Sequence, residues 1–280
     1  LFMAMLAAAC SVRFSMHNIL PLIAILFLMA APWTQAQETE EEHIETDRDS
    51  FTPATTTAGA GRLILEAGYS FIDNRGVPET HSFPELIARY GVCDWLELRF
   101  GTNYEVGGES NAISGGGSGD FESAEIESEA KVAYGFKAAL TEQEGWLPRS
   151  AGIVQGNTPT SGAESETHLV ATYVWGWLLA EGWVRDSAIR YGDSLAEEDR
   201  FDHWAPSTVL KVEVAEQWNA HLEYFGIFTD GREPELSRSY LSPGLHYLVT
   251  PNMEVGVRVG WGLGSDAANF FSNVGMGLRF

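Results

Sequence analysis

Met253–Leu263 reads MEVGVRVGWGL, and the chain closes with Phe270–Phe280, FFSNVGMGLRF. Successive side chains of an extended strand point to opposite faces. Met253, Val255, Val257, Val259, Trp261 and Leu263 therefore share one face, and Glu254, Gly256, Arg258, Gly260 and Gly262 the other. Phe270, Val274, Met276, Leu278 and Phe280 oppose Asn273, Gly275, Gly277 and Arg279 in the same way. One face is almost wholly apolar and the other is mostly glycine, amide and charge, a division that asks for two different solvents on the two sides of one sheet.

The alternation extends back along the chain. Leu63, Leu65, Ala67, Tyr69 and Phe71 oppose Arg62, Glu66 and Ser70; Leu86, Ala88, Tyr90 and Val92 oppose Glu85, Arg89 and Gly91. Leu96, Leu98, Phe100 and Tyr104 oppose Glu97, Arg99 and Asn103, and Val132, Tyr134, Phe136 and Ala138 oppose Lys131, Gly135 and Lys137. Read segment by segment, this period of two predicts twelve strands, over 62–72, 82–92, 95–105, 125–140, 148–157, 168–181, 183–191, 204–214, 218–228, 239–249, 253–263 and 270–280. The fifth and seventh are weak in phase. Connections after even-numbered strands include very short ones such as Cys93-Asp94 and Thr250-Pro251-Asn252. Those after odd-numbered strands are mostly longer, with 106–124 and Gly192–His203 as extremes.

A soluble antiparallel sandwich also alternates. Charge, however, is nearly absent from the apolar face of the well-phased strands, where a lipid-facing Lys or Arg would cost about 2–4 kcal/mol at mid-membrane. Aromatic residues recur at predicted strand ends: Trp95, Trp183, Trp218 and Tyr247 near short turns, Tyr69, Tyr104, Trp261 and Phe270 near long loops. Alternate short and long connections between two aromatic girdles fit an all-β, transmembrane, antiparallel up-and-down barrel of about 12 strands. Phe280, on the apolar face of the last strand, looks like an assembly signal for the outer-membrane barrel assembly machinery.

Composition narrows the function classes. With 17 Lys+Arg against 39 Asp+Glu, a formal charge of −22, binding to nucleic acid by phosphate neutralisation is excluded. Two cysteines cannot build a disulfide framework or a Cys-rich zinc site. The apolar run ILPLIAILFLMAA (Ile19–Ala31), followed by small residues at Thr34 and Ala36, has the form of an export signal cleaved after Ala36. It is shorter than the roughly 20 residues of a spanning helix. The expected organisation is a signal peptide over 1–36, a flexible acidic periplasmic segment over 37–61, and a barrel over 62–280 in the outer membrane of a Gram-negative-type envelope.

Thr46-Asp47-Arg48-Asp49-Ser50-Phe51-Thr52, then Gly61-Arg62-Leu63-Ile64-Leu65-Glu66-Ala67-Gly68-Tyr69, resembles the opening of the family known as the putative MetA-pathway of phenol degradation. Pro84-Glu85-Leu86 with Arg89-Tyr90-Gly91, followed by Trp95-Leu96-Glu97-Leu98-Arg99, is similar to that family's second hairpin. The resemblance covers roughly 46–280. It implies an outer-membrane barrel acting as a channel for aromatic or other small hydrophobic compounds, and it transfers no catalytic residue. The family's Pro-Thr-Gly element appears here only as Thr158-Pro159-Thr160-Ser161-Gly162.

In a barrel the polar face is the lumen. Arg62, Glu66, Glu85, Arg89, Glu97, Arg99, Lys131, Lys137, Lys211, Glu213, Glu223, Glu254, Arg258 and Arg279 are then expected to point inward and to set selectivity, as rings of charge do in pores. Arg89, Arg99 and Arg258 would form a basic stripe facing Glu66, Glu97 and Glu254. An interior filled by salt bridges is the competing expectation, since twelve strands lie between filled 8-stranded and open 16-stranded barrels. A barrel enzyme of lipase or protease type would use His168, His203 with Asp202, His221 with Glu223, or His246, yet no nucleophile, base and orienting group can be assembled from their spacing. The histidines lack metal-ligand spacing, and the acidic stretches Asp120–Glu129 and Glu197–Asp202 read as solvated loop charge. A passive structural barrel is the third alternative. The expectation is thus a channel taking up small-molecule solutes, partnered by outer-membrane lipid, with no catalytic residue, cofactor or metal.

Overall fold

The structure is a computed structural model; it describes residues 43–280 except 49, 115–125, 163–165, 197–198 and 232–234. Twelve antiparallel strands close into one barrel. They are β1 (Leu63–Asp73), β2 (Thr80–Cys93), β3 (Leu96–Gly107), β4 (Ile126–Thr141), β5 (Arg149–Ser161) and β6 (His168–Ala180), followed by β7 (Trp183–Ala196), β8 (Asp199–Ala215), β9 (Trp218–Asp230), β10 (Ser237–Thr250), β11 (Met253–Gly262) and β12 (Phe270–Arg279). Each pairs with its sequence neighbours, and β1 pairs with β12 from Ile64↔Arg279 to Asp73↔Phe270. Phe280 extends this seam: its N–H donates to the Leu63 carbonyl at 2.8 Å and its carbonyl accepts from the Leu63 N–H at 3.2 Å. Closure removes the open edges that a free sheet would leave unpaired in a bilayer.

The predicted phase holds. On β11 Val257 and Trp261 are exposed while Glu254, Arg258 and Gly260 are buried, and Phe280 is 65% exposed. Leu98, Phe100, Tyr134, Tyr173, Leu222 and Val274 continue the exposed apolar surface around the wall. Aromatic pairs mark both rims, Trp218 against Tyr247 at 4.7 Å beside a short turn and Trp261 against Phe270 at 6.0 Å beside a long connection.

The weak phase of β5 and β7 has a local cause. Ala151, Val174 and Ala188 are register neighbours on β5, β6 and β7 and form a small apolar cluster inside the barrel. Apolar residues thus stand on both faces there, and alternation is lost.

Two expectations are corrected. The connection over Gly192–His203 is mostly strand, for β7 and β8 continue with Gly192↔His203, Asp193↔Asp202 and on to Ala196↔Asp199. This end of the hairpin carries no apolar face, so period two is invisible in its composition. The segment expected to be a flexible lead over 37–61 is, from Ile44 to Ala58, packed inside the barrel. Its Ile44 N–H donates to the Pro251 carbonyl at the short-turn rim, and Ile44, Ala58, Ile64 and Leu248 form a cluster there. Between these ends Phe51 reaches inward to stack on Phe225 at 4.4 Å. The segment has no periodicity because it makes no regular ladder; its polar groups serve the strands' inward charges. The expected export signal, 1–36, lies outside the described residues.

Gly91 shows how close the segment lies to the wall. A Cβ at that position would sit 1.7 Å from the Gly59 carbonyl oxygen, so the chain could not pass there beside any other residue.

Candidate functional site

The lumen of the barrel is the candidate site, and its chemistry divides between two walls. On the β1–β4 wall, register places Arg89 of β2 directly opposite Arg99 of β3, and Glu97 of β3 opposite Lys137 of β4. Two like charges facing each other across strands repel, and the buried setting magnifies the cost of leaving them uncompensated. Carboxylates fill the space between them. Arg89 reaches Glu66 at 2.9 Å and Glu97 at 3.0 Å, and Arg99 reaches Glu97 at 2.8 Å.

The third carboxylate comes from the N-terminal segment. Asp47 lies 2.5 Å from Arg99, 3.2 Å from Lys137 and 3.7 Å from Arg89, and its Oδ1 also accepts from the Ala54 N–H at 3.0 Å. Burial alone would push the Asp47 carboxyl up; Arg89, Lys137 and Arg99 together outweigh it and hold the group well below the usual carboxylate range. Next to it, Arg48 bonds Glu85 at 2.8 Å, and the backbone N–H groups of Asp47 and Arg48 both donate to Glu66 Oε2 at 3.0 Å.

The β8–β12 wall holds the segment differently. Phe51, Phe225, Tyr240 and Phe271 form an aromatic cluster with Ile72, Ile113 and Ile227. The Arg190 guanidinium lies 4.2 Å over the Phe51 ring. Glu223 takes the N–H of Phe51 at 2.9 Å and both the N–H and hydroxyl of Thr52 at 2.7 Å. Residues 108–114, after β3, also fold inward. The Asn111 N–H donates to Glu105 at 2.7 Å and Arg258 donates to the Ile113 carbonyl.

Ten of the fourteen residues expected to face the lumen are buried inside it: Glu66, Glu85, Arg89, Glu97, Arg99, Lys131, Lys137, Glu223, Glu254 and Arg258. Lys211 is near the short-turn rim, 3.8 Å from Glu45. Arg62, Glu213 and Arg279 stand at that rim rather than within: Arg62 and Arg279 are half-buried, Glu213 is exposed, and Arg279 Nε donates to Asn252 Oδ1 at 2.8 Å. Of the expected basic stripe, Arg89 and Arg99 do meet Glu66 and Glu97, but Arg258 does not join them and does not face Glu254. Arg89 and Arg99 pair along their own wall, Arg258 pairs with Glu223 at 3.4 Å, and Glu254 accepts from Thr46 of the segment at 2.9 Å. Neighbouring strands are close enough for these side chains to meet locally, so the field is spent near each wall.

Sequence reasoning does not place Asp47, Arg48 or Arg190 in the lumen and reads Glu129 as solvated loop charge, yet all four are buried, Glu129 within β4. Asp47 and Arg48 fall within the expected flexible lead. Their signal is the run Thr46–Thr52, which has the charges of an interior but not the period of a strand. Of the histidines, His221 meets His246 rather than Glu223, with Nδ1 2.7 Å from Nε2, and His246 is 3.8 Å from Glu254. His168 and His203 are buried on the inner faces of β6 and β8. Cys93, half-buried at the end of β2, is not disulfide-bonded. Among the described residues no group of three or more His, Cys, Asp or Glu is placed to hold a metal ion. A cavity of about 170 Å³ lies between the segment and the β7–β11 wall, lined by Ile44, Thr46, Lys211, His221, His246 and Glu254 among others.

Comparison with known proteins agrees with this architecture. The family described as Putative MetA-pathway of phenol degradation matches residues 46–280. Among solved structures, an outer membrane channel from Pseudomonas putida F1 superposes with a TM-score of 0.57 at 11% identity, over 84% of this chain and 100% of that one. The NanC porin superposes with a TM-score of 0.50 at 8% identity, over 77% and 98%. At such identities the likeness is one of fold. No curated protein sequence matches the chain.

Proposed function

Because the chain belongs to the family described as Putative MetA-pathway of phenol degradation, we propose that it is an exported outer-membrane channel for the diffusion or facilitated uptake of small molecules, aromatic and hydrophobic compounds among them. The observation that carries this reading is a closed twelve-strand barrel, apolar outside, whose charged interior is crossed by a segment that, among the described residues, no disulfide holds in place. Ion pairs, hydrogen bonds and one aromatic stack retain Ile44–Ala58, so the occupant of the lumen is exchangeable. A packed structural core would have no need of so many buried charges, since an apolar filling of equal volume is commonly as stable or more so.

In this reading the solute enters at the long-loop rim, meets the inward charges, and passes as the segment shifts. The inner side chains bind and orient by charge, and no bond in the solute is made or broken. Phe280 serves barrel assembly. Single-channel recording of the refolded chain in planar bilayers, with and without a phenolic solute, tests the proposal. Discrete steps that the solute interrupts are the expected result; a correctly folded barrel that stays silent under all conditions counts against a channel.

A further inference from the structure

The Asp47 carboxylate is held by more cations than any ordinary structural ion pair needs. Arg99, Lys137 and Arg89 converge on it from β3, β4 and β2, and all four groups are buried. Within this cluster the wall itself supplies three cations against two carboxylates, Glu66 and Glu97. Asp47 brings the balance to zero. If the segment moves aside, Arg48 leaves with it and Glu85 loses its partner, so the wall as a whole keeps three cations against three carboxylates. Only Glu66 and Glu97 lie among the three cations, however, and a local positive excess remains there. Arg89 and Arg99 are direct cross-strand neighbours, so the excess is concentrated where two guanidinium groups face each other. Burying an uncompensated charge is costly, and the least costly remedy is another anion of the same shape. Guanidinium pairs suit planar carboxylates.

We infer that Arg89, Arg99 and Lys137 form a binding site for the carboxylate of a small permeating acid, and that Asp47 occupies it as an internal stand-in when no solute is present. The solute class rests on the channel reading; the anion site itself does not. Neighbouring surfaces fit an aromatic acid rather than a sugar acid. The segment that departs takes Phe51 from its place against Phe225 and under Arg190, which leaves an aromatic face on the opposite wall.

Chemical rescue separates the two parts. Asp47→Ala removes the CH₂-carboxylate that acetate resembles. The full chain carrying this substitution is refolded in detergent, and its thermal unfolding is followed in acetate and in chloride at equal ionic strength. The expected result is a lowered midpoint that acetate raises and chloride does not, with the unsubstituted chain indifferent to either. Adding Arg99→Gln to Asp47→Ala is expected to abolish the acetate response. Equal behaviour in acetate and chloride would overturn the anion site. Should Asp47→Ala fail to refold, refolding yield becomes the readout: recovery in acetate alone supports the site, and equal failure in both salts overturns it. In bilayers, benzoate is expected to interrupt the current of the unsubstituted chain at a concentration about tenfold below benzyl alcohol or benzylammonium, a factor equivalent to one charge-assisted contact. A current indifferent to benzoate would refute the solute class. Acetate rescue in a protein that never conducts would leave the anion site standing and remove the channel.

Discussion

The N-terminal segment stands on two footings of opposite character. On β2–β4 it is held by charge: Asp47 among Arg89, Arg99 and Lys137. On β8–β12 it is held by a ring stack and by a carboxylate, Glu223, that collects backbone N–H groups. The first footing discriminates, because its partners must match in sign and number. The second supplies area and tolerates substitution of shape more readily than of polarity. A segment secured this way has two holds that differ in kind and can be weakened separately.

Removing a charge from the first footing should do the most damage. Arg89→Ala leaves Asp47, Glu66 and Glu97 crowded about Arg99 and Lys137, and breaking a buried ionic network typically costs about 3–5 kcal/mol. Unfolding in urea, followed by the loss of heat-modifiable mobility, should show that cost; a midpoint shift within error would mean that the two footings do not differ in the way described.

Acidification tests the same footing without mutation. Asp47 has its pKa held well below its unfolded value, which is about 3.9. Its contribution is therefore fully present above about pH 4 and is lost as pH falls through the lower folded value. Protection of residues 44–58 from added protease should be constant from pH 7 to about 4 and decline below that. In Asp47→Ala the decline should be smaller, and an identical acid profile would assign the loss to other carboxylates.

The second footing should respond more mildly. Phe51→Leu keeps an apolar side chain but gives up the stack on Phe225 and the cation contact from Arg190, together about 1–2 kcal/mol. The expected readout is faster proteolysis of the segment with unchanged barrel unfolding. If the barrel unfolds as readily as in Arg89→Ala, the aromatic cluster is a core of the barrel itself.

Glu254→Gln should cost least. The amide oxygen can still accept from Thr46, so stability should stay within about 1 kcal/mol, while one lumen charge is lost. Reversal potentials under a salt gradient should shift toward anions, and an unshifted potential would place Glu254 outside the ion path.

The wall was almost fully legible in the sequence and its contents were not. Val257 beside Arg258 announces two solvents on two faces, and that signal placed all twelve strands. β7 and β8 ran on past Tyr191 unseen because a hairpin end such as Asp193↔Asp202 has no apolar face to alternate. The inward charges on β2, β3 and β11 followed from the same period. What they touch did not. Whether Arg99 meets a carboxylate across the barrel, along the wall or on a separate segment depends on distances that no periodicity encodes. Asp47 was invisible for a further reason: a chain that binds by single side chains to many strands has the composition of a loop.

Even strand number has a last consequence. Ile44 and Phe280 lie at one rim, and only Gly59–Arg62 separate the buried segment from β1. Sixteen residues lead from Asp47 to Leu63, and at about 3.3–3.6 Å per residue they reach at most about 55 Å, so the displaced carboxylate stays tethered within reach of the site it left. Tethered ligands of this kind act at an effective concentration of about millimolar. If the inferred site takes a permeating acid, that acid competes with a fixed internal concentration of its own mimic. On that inference the concentration needed to displace Asp47 is the effective concentration scaled by the ratio of the two affinities, so a tighter-binding acid opens the passage at a lower supply.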